Sequence, residues 1–425
     1  MMDLSAEMAP VLAEQYADML SLDFRSRQTQ LTSLNHNLGD LMVWDLRMQA
    51  YLHGLLLLKE EAGRYFDDRL LSPLSQGDVF ALGTFAFISG NPALLEGCCR
   101  LAQALPSLLT VLGYVMEWTP VASPLWRLID GYPALQLMAG WHRPDIRLQN
   151  TLDRADMTSL VTQAAVIPAL VLALSRQSHP EYSSFINKWV ISGDDRILCG
   201  VLTAILTRNL SSDGLPVQDL LRQLMLAKSE NIRLQAARLA LLCTSAPQND
   251  TLHFILTQAG DIRLHIQALG IAGKAVHMTH LREYLEVPEY ARLAAASISL
   301  LTGSQPEADG WGGTTPARSP GEMTAGGDIP ENDPDDALTW PDAQAFEQWW
   351  RRHAQDFELE PSYLGGKPVH PSGMLHILYS GAMAMRPLAA MRWQHLTGRT
   401  LFSLSAPAPV QRQQLHGLMT QENPI

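Results

Sequence analysis

The stretch Gly193-Asp194-Asp195-Arg196-Ile197-Leu198 is the first copy of a motif that is repeated three times in the middle of the chain. The later copies are Asn231-Ile232-Arg233-Leu234, Asp261-Ile262-Arg263-Leu264 and Glu289-Tyr290-Ala291-Arg292-Leu293. Each copy starts with an acidic or amide residue, places an arginine shortly after it and continues into a Leu- and Ala-rich run. The four arginines are 37, 30 and 29 residues apart. This period predicts an all-α fold of stacked helix pairs, a HEAT-like α–α superhelix (solenoid).

Helical spacing and composition divide the 425 residues into four predicted regions. Residues 1–90 are predicted to form a helical N-terminal cap, and residues 91–302 the repeat solenoid. Residues 303–337 are rich in glycine, proline and acids, so this region is predicted to be a flexible linker. Residues 338–425 return to helical patterning and are predicted to form a C-terminal helical module.

Composition excludes several classes of protein. The chain carries a net charge of −12, whereas proteins that wrap nucleic acid usually show a basic stripe. Its longest apolar run, 161–174, is shorter than the roughly 20 residues that span a bilayer. The N-terminus lacks the pattern of a secretory signal, and four cysteines without a CxxC pair are typical of a reducing compartment. We therefore expect a cytoplasmic protein that binds neither nucleic acid nor membrane.

The arginines of the repeated motif have two interpretations. They can form a ladder that holds phosphates or carboxylates, or each can pair with an acid or carbonyl of a neighbouring repeat. We favour the structural interpretation for Arg196, Arg233, Arg263 and Arg292.

Partner contacts are instead predicted on the second helices of the pairs, which usually line the concave surface of such solenoids. Residues on these helices that face away from the apolar stripe are the candidates. They are Asp219, Arg222, Gln223, His253, Gln258, Arg282 and Glu283.

The C-terminal module is predicted to form around a helix that begins after Thr339-Trp340-Pro341-Asp342. Phe346, Trp349 and Trp350 are its predicted core residues, with one of the adjacent tryptophans docking against the solenoid. Stacking of a base or ligand on both tryptophans is the less favoured alternative.

Motifs that carry chemistry are missing from the sequence. No GxSxG, HExxH, GxxxxGK[ST] or GxGxxG occurs, so we expect no catalytic residues and no enzyme activity. His277 and His280 have a spacing that can share a metal on a helix, but no acidic or cysteine ligand lies nearby in sequence. We expect neither a metal nor a cofactor.

Two blocks of sequence resemble a known family. The C-terminal block is Ala291-Arg292-Leu293-Ala294, Leu300-Leu301-Thr302-Gly303, Trp340-Pro341-Asp342, Trp349-Trp350, His353, Phe357 and Tyr363-Leu364-Gly366. It resembles an uncharacterised proteobacterial HEAT-repeat family, and Asp40-Leu41, Asp45, Arg47 and Leu52-x-Gly54-Leu55 are similar to the N-terminal signature of that family. Genes of the family often lie near type VI secretion clusters. The resemblance therefore implies an accessory role in that system and carries over no catalytic residue.

The leading hypothesis is a non-enzymatic scaffold, adaptor or chaperone that binds another protein, such as a secretion effector during loading. An immunity protein that occludes a toxin is a close alternative. A HEAT-like DNA glycosylase belongs to another class, and the acidity of the chain disfavours it. A repeat protein that holds a tetrapyrrole is a third hypothesis, which no cysteine or histidine cluster supports.

Overall fold

The structure is a computed structural model, and it describes residues 4–105, 107–143, 160, 163–176, 178–212, 214–314 and 333–422. These residues form an all-α protein in which most helices pack against their neighbours in sequence. The chain divides into unit 1, Met1–Gly214 with Arg399–Ile425, and unit 2, Leu215–Gly398. Within the described ranges, no helix combines the length and the apolar character needed to cross a bilayer.

Unit 1 is built from helices of both chain ends. They are α1 Leu4–Gln30, α2 Leu38–Leu57, α3 Lys59–Arg69, α4 Gln76–Ser89, α5 Pro92–Ala104, α6 Leu108–Trp118, α7 Pro133–His142, α8 Ile167–Arg176, α9 Tyr182–Val190, α10 Asp195–Thr207 and, after unit 2, α20 Ala408–Glu422. Short 3₁₀ helices lie at Pro124–Gly131 and Ala164–Val166. Helix α1 packs along α2 and α4, and α4 packs on α6.

Unit 2 contains the regular helix pairs and most of the predicted C-terminal module. Its helices are α11 Val217–Met225, α12 Glu230–Leu242, α13 Gln248–Phe254, α14 Ile262–Ala272, α15 Met278–Leu285, α16 Ala291–Thr302, α17 Ala343–His353, α18 Pro371–Ser380 and α19 Arg386–Thr397. A π-helical turn, Ile255–Ala259, continues α13, and 3₁₀ helices lie at Ala275–His277 and Ala354–Asp356. Strands β1 Tyr363–Leu364 and β2 Lys367–Pro368 form a short antiparallel hairpin.

Within unit 2 the arginine-bearing helices α12, α14 and α16 pack side by side in sequence order. Helices α14 and α16 meet at small residues, because a Cβ on Gly270 of α14 would lie 2.7 Å from the backbone oxygen of Ser297 in α16. The small residues therefore let the two helices approach more closely than larger side chains permit. Asp261 caps α14, because its Oδ1 accepts a hydrogen bond from the backbone N–H of Leu264 (2.9 Å).

The hairpin β1–β2 joins the C-terminal part of unit 2 to the helix pairs. The backbone N–H groups of Gly365 and Gly366 donate to the carbonyls of Leu300 and Leu301, at 2.6 and 2.9 Å. These carbonyls belong to the last turn of α16, where a helix has no partners of its own. The hairpin thus supplies donors that the end of the helix lacks.

The ends of the predicted flexible linker are held by contacts. Trp311 is fully buried and lies 5.1 Å from the ring of Phe346, and Gly312 forms an isolated β-bridge with Pro341. Asp335 is also buried. Low apolar content predicted a free segment, but one tryptophan and one ion-paired aspartate are enough to hold both ends. Residues 315–332 of the predicted linker lie outside the described residues.

The predicted domain boundaries at residues 90, 302 and 337 do not coincide with those of the two units. Residues 303–314 and 333–398 lie with the helix pairs, and the final segment belongs with the N-terminal helices. The final segment belongs with the N-terminal helices because it contacts a buried ion pair of unit 1. Arg27 Nε contacts Asp45 Oδ1 at 2.6 Å, Arg27 Nη2 donates to the carbonyl of Ala406, and Asp45 Oδ2 accepts from the N–H of Ala408.

Candidate functional site

Three of the four repeated arginines form a row in unit 2. Arg233 of α12 contacts Asp261 at the start of α14, with Nε 2.9 Å from Oδ2, and its Nη1 donates to the carbonyl of Ala227. This contact between adjacent repeats is the kind of pairing that the structural interpretation describes. Arg196 lies in unit 1, where it pairs with Asp194 two residues earlier in the chain.

The other two arginines of the row hold an acidic turn formed by residues 333–338. Arg263 makes a bidentate contact with Asp335, Nη1 to Oδ2 at 2.9 Å and Nη2 to Oδ1 at 2.6 Å. Arg292 donates to the carbonyl of Asp335 and, from Nη2, to the carboxylate of Asp333 at 2.6 Å. The guanidinium of Arg292 also lies over Trp340, 4.6 Å from the ring centroid. The row therefore binds carboxylates that belong to the segment after the repeats.

These contacts shift the pKa values of Arg263 and Asp333 in favour of the charged forms. The hydrogen bond with Asp335 raises the pKa of Arg263. The hydrogen bond from Arg292 lowers the pKa of Asp333, and the N–H of Asp335 lowers it further. By their geometry both arginine–acid contacts are ion pairs, with Nη2–oxygen distances of 2.6 Å.

Two cavities are lined by Arg233 and Arg263 of the arginine row. The first, about 330 Å³, is bounded by Pro334, Asp335 and Leu338 of the acidic turn and by helices α12, α14 and α16. The second, about 440 Å³, is bounded by Leu226, Ile262, Glu289 and Tyr290 and shares Arg233, Asp261 and Arg263 with the first. Among the described residues, none of the acidic turn lines the second cavity.

Apolar side chains stand exposed at the second cavity. Leu226 and Ile262 are 57% and 38% exposed, and Tyr290 is half-buried and lies edge-on to Tyr284. Charged groups of both signs surround them, namely Arg233, Asp261, Arg263 and Glu289. An apolar centre with an aromatic residue and a charged rim is the usual composition of a protein–protein contact site. We refer to this surface, Leu226, Ile262 and Tyr290 with its rim, as the repeat-loop site.

The predicted partner-contact residues lie elsewhere. Asp219, Arg222, Gln223, His253, Gln258 and Glu283 are exposed, and none of the seven lines either cavity of the arginine row. Arg222 lies over the ring of Phe254, 5.7 Å from its centroid. Arg282 is only half-exposed, because it makes a bidentate contact with Glu347 of α17 (2.5 Å to each oxygen). That ion pair fixes the module helix on the repeats, so Arg282 has a structural partner within the chain.

The aromatic residues of α17 form a core together with the linker. Phe346 and Trp349 are buried against Trp311, whereas Trp350 is half-buried and tilts against Phe357. Sequence analysis named Phe346, Trp349 and Trp350 but missed Trp311, which stands alone among glycines, prolines and acids. With Trp349 buried, the two adjacent tryptophans do not form an open stacking platform.

Groups that would carry covalent or metal chemistry are placed unfavourably. All four cysteines are buried, and burial raises the pKa of each thiol, that of Cys199 to about 11. A thiol with a raised pKa is a poor nucleophile. Among the residues that the structure describes, no three His, Cys, Asp or Glu side chains are grouped to hold a metal ion.

The pair His277 and His280, weighed above as a metal site, predicts a pH-dependent stability instead. His277 is buried, and burial followed by the charge of His280 lowers its pKa from 6.5 to about 4. The unfolded chain therefore binds more protons between pH 6.5 and 4, and stability is lost as pH falls through this window. We expect the free energy of unfolding to fall by about 1–2 kcal/mol more between pH 7 and 5 than in His277→Gln.

Urea denaturation at both pH values measures this difference. His253→Gln, which removes an exposed imidazole of the same unit, is the control and should keep the pH dependence of the natural chain. Equal pH dependence in the natural chain and in His277→Gln would contradict the assignment to His277.

No family model, curated protein or solved structure matches the chain. The class defined by the structure is an all-α protein with side-by-side helix pairs in unit 2, and any family assignment depends on the residue pattern alone.

Proposed function

We propose that the protein is a non-enzymatic scaffold that binds another protein through the repeat-loop site of unit 2. The observation that carries this proposal is the exposure of Leu226 and Ile262, beside the half-buried Tyr290, at a cavity lined by Arg233 and Arg263. Exposed leucine and isoleucine are costly in water, and a partner that covers them removes this cost.

The acidic turn indicates which kind of segment the partner inserts. Arg263 and Arg292 hold a loop of this chain by its carboxylates. At the second cavity the charged rim consists of Arg233, Asp261, Arg263 and Glu289. A partner loop with an apolar side chain flanked by charged residues of both signs complements this surface.

The resemblance to the HEAT-repeat family extends the proposal to a cellular setting. In that setting the protein would be an adaptor or chaperone that loads an effector in type VI secretion, with the repeat-loop site as its binding surface. A toxin is the partner if the protein is instead an immunity protein, and rescue of growth by co-expression distinguishes the two roles.

Ile262→Asp in a tagged chain tests the site. Residue 262 is the first of α14, where an added carboxylate is favourable to the helix, so the variant should fold. We expect a stoichiometric partner to be recovered with the natural chain, and its affinity for Ile262→Asp to fall at least about tenfold, as for a residue at the centre of an interface. Titration of the purified partner measures the loss.

Val276→Asp is the matched control, because Val276 is an exposed apolar residue of the same unit outside both cavities of the arginine row. It should bind the partner as the natural chain does. If the partner bound Ile262→Asp as tightly as the natural chain, the repeat-loop site would not be its binding site. Recovery of the bare protein alone would count against the scaffold role.

A further inference from the structure

The acidic turn, residues 333–338, lies against a groove formed by helices α12, α14 and α16 of unit 2. Between the turn and these helices a cavity of about 330 Å³ remains. The apolar part of the helix wall consists of Leu234, Leu264, Leu293 and Leu300. Arg233 and Arg263 of the arginine row add cations to the same wall. Clustered arginines beside apolar pockets are one of the ways in which proteins bind acidic peptide segments.

The acidic turn is attached to the groove through two arginines. In the described part of the chain, four hydrogen bonds join the turn to the helices, and Arg263 and Arg292 donate all four. The backbone N–H groups that donate within the turn instead are those of Asp335, Asp336 and Leu338. Most residues of the turn are exposed, and each ion pair has a member that water reaches, since Arg263 is 33% and Asp333 47% exposed. Partly exposed ion pairs stabilise only weakly, so the turn is held as a ligand is held.

A segment that replaces the acidic turn has to be acidic itself. Arg263 and Arg292 are only 33% and 12% exposed, and an uncharged segment would deprive each of the carboxylate that it contacts. The two carboxylates belong to Asp333 and Asp335, which are two residues apart, and Leu338 lines the cavity three residues later. The groove is therefore suited to two acids at positions i and i+2, followed by an apolar residue.

We propose that this groove binds an acidic peptide segment of a partner protein, and that the acidic turn occupies it as a competitor within the chain. The partner segment has the pattern of the turn: two acids two residues apart, then an apolar residue at the cavity. A competitor in the same chain is present at a high effective concentration, so the apparent affinity for the partner falls with the fraction of molecules whose groove is free. The inference goes beyond the repeat-loop site, because neither Leu226, Ile262 nor Tyr290 lines this cavity.

Fluorescence polarisation with a labelled hexapeptide, Asp-Pro-Asp-Asp-Ala-Leu, tests the proposal; its sequence is that of residues 333–338. Asp333→Asn with Asp335→Asn in the full chain removes both carboxylates of the turn and frees the groove. We expect the peptide to bind this double variant at least about tenfold more tightly than the natural chain. Asp333→Asn alone, at a largely hydrated position, should give a smaller gain in the same direction. The same peptide with asparagine in place of its first and third aspartates should not bind.

Three further substitutions, each added to the double variant, locate the peptide. Arg263→Gln should abolish binding, because it removes the bidentate contact. Arg222→Gln removes an exposed arginine of the same unit outside this cavity, and Leu226→Ser changes the repeat-loop site, so neither should alter the affinity. Absent saturable binding to the double variant, equal affinity for the natural chain, binding of the asparagine peptide, unchanged binding after Arg263→Gln or weaker binding after Leu226→Ser would each overturn the proposal.

Discussion

Asp45→Asn is expected to lower the free energy of unfolding by about 3–5 kcal/mol, the cost of leaving one member of a buried ion pair without its partner. Arg27 and Asp45 are 1% and 0% exposed, so water cannot replace the lost carboxylate. Asp45 also accepts the backbone N–H of Ala408 at 2.6 Å, and Arg27 binds the carbonyl of Ala406. The substitution should therefore loosen the start of α20 as well. Urea denaturation measures the first effect, and limited proteolysis near residue 406 the second.

Two comparisons distinguish the stability lost by burying an unpaired charge from the stability lost with a contact. Asp23→Asn breaks an ion pair whose arginine, Arg47, is 46% exposed, and it should cost only about 1 kcal/mol because the freed cation can be hydrated. The double substitution Arg27→Met with Asp45→Leu removes both buried charges and should recover most of the stability lost in Asp45→Asn. If Asp45→Asn were no more harmful than Asp23→Asn, the ion pair would not be what holds the C-terminal segment.

The helix pairs of unit 2 were predictable because their signals are local. The motif Asp261-Ile262-Arg263-Leu264 contains its own helix cap, and the small residues that follow it indicate close helix contacts. A repeat unit needs only its neighbours, so a period near 30 residues carries most of the information about how these helices pack.

What the sequence did not reveal depends on pairs of distant residues. Arg263 and Asp335 are 72 positions apart, and Arg27 and Ala406 are 379 apart. Composition marks the segment around Asp335 as free chain, and nothing in the pattern of α20 indicates that it packs on α2. Single-sequence reasoning records the propensity of a segment but not the partner that will hold it.

The repeat-loop site was missed for a related reason. Neither Leu226 nor Ile262 is among the predicted partner contacts, because only residues that face away from the apolar stripes were candidates, yet they are 57% and 38% exposed. One signal was available: Ile262 directly follows the cap Asp261, and the first residue of a helix often projects beyond the contact between helices. Polar residues such as Asp219 were predicted as partner contacts because they face away from the apolar stripe. Most charged side chains are exposed, so exposure alone does not identify a contact site.

The second large effect is expected from Gly273→Ala, at the C-terminal end of α14. Gly273 has φ +68°, and a Cβ there would lie 2.0 Å from the backbone oxygen of Tyr363. The left-handed conformation alone costs alanine about 1–2 kcal/mol. The overlap adds to this, because relieving it must displace β1 and break the hydrogen bond from the N–H of Tyr363 to the carbonyl of Gly273 (2.7 Å). We expect a total loss of about 3–5 kcal/mol, measured by urea denaturation.

Gly260→Ala supplies a control with the same backbone strain and no overlap. Gly260 also ends a helix in the left-handed conformation, φ +61°, but no atom lies within 4 Å of its added Cβ. It should cost about 1–2 kcal/mol, and the additional loss of stability in Gly273→Ala measures the cost of displacing the hairpin. Hydrogen exchange gives a second measurement, since the N–H groups of Gly365 and Gly366 bind the last carbonyls of α16. These amides should exchange faster in Gly273→Ala and not in Gly260→Ala, and equal rates in both variants would show that the hairpin is not what closes this end of the helix pairs.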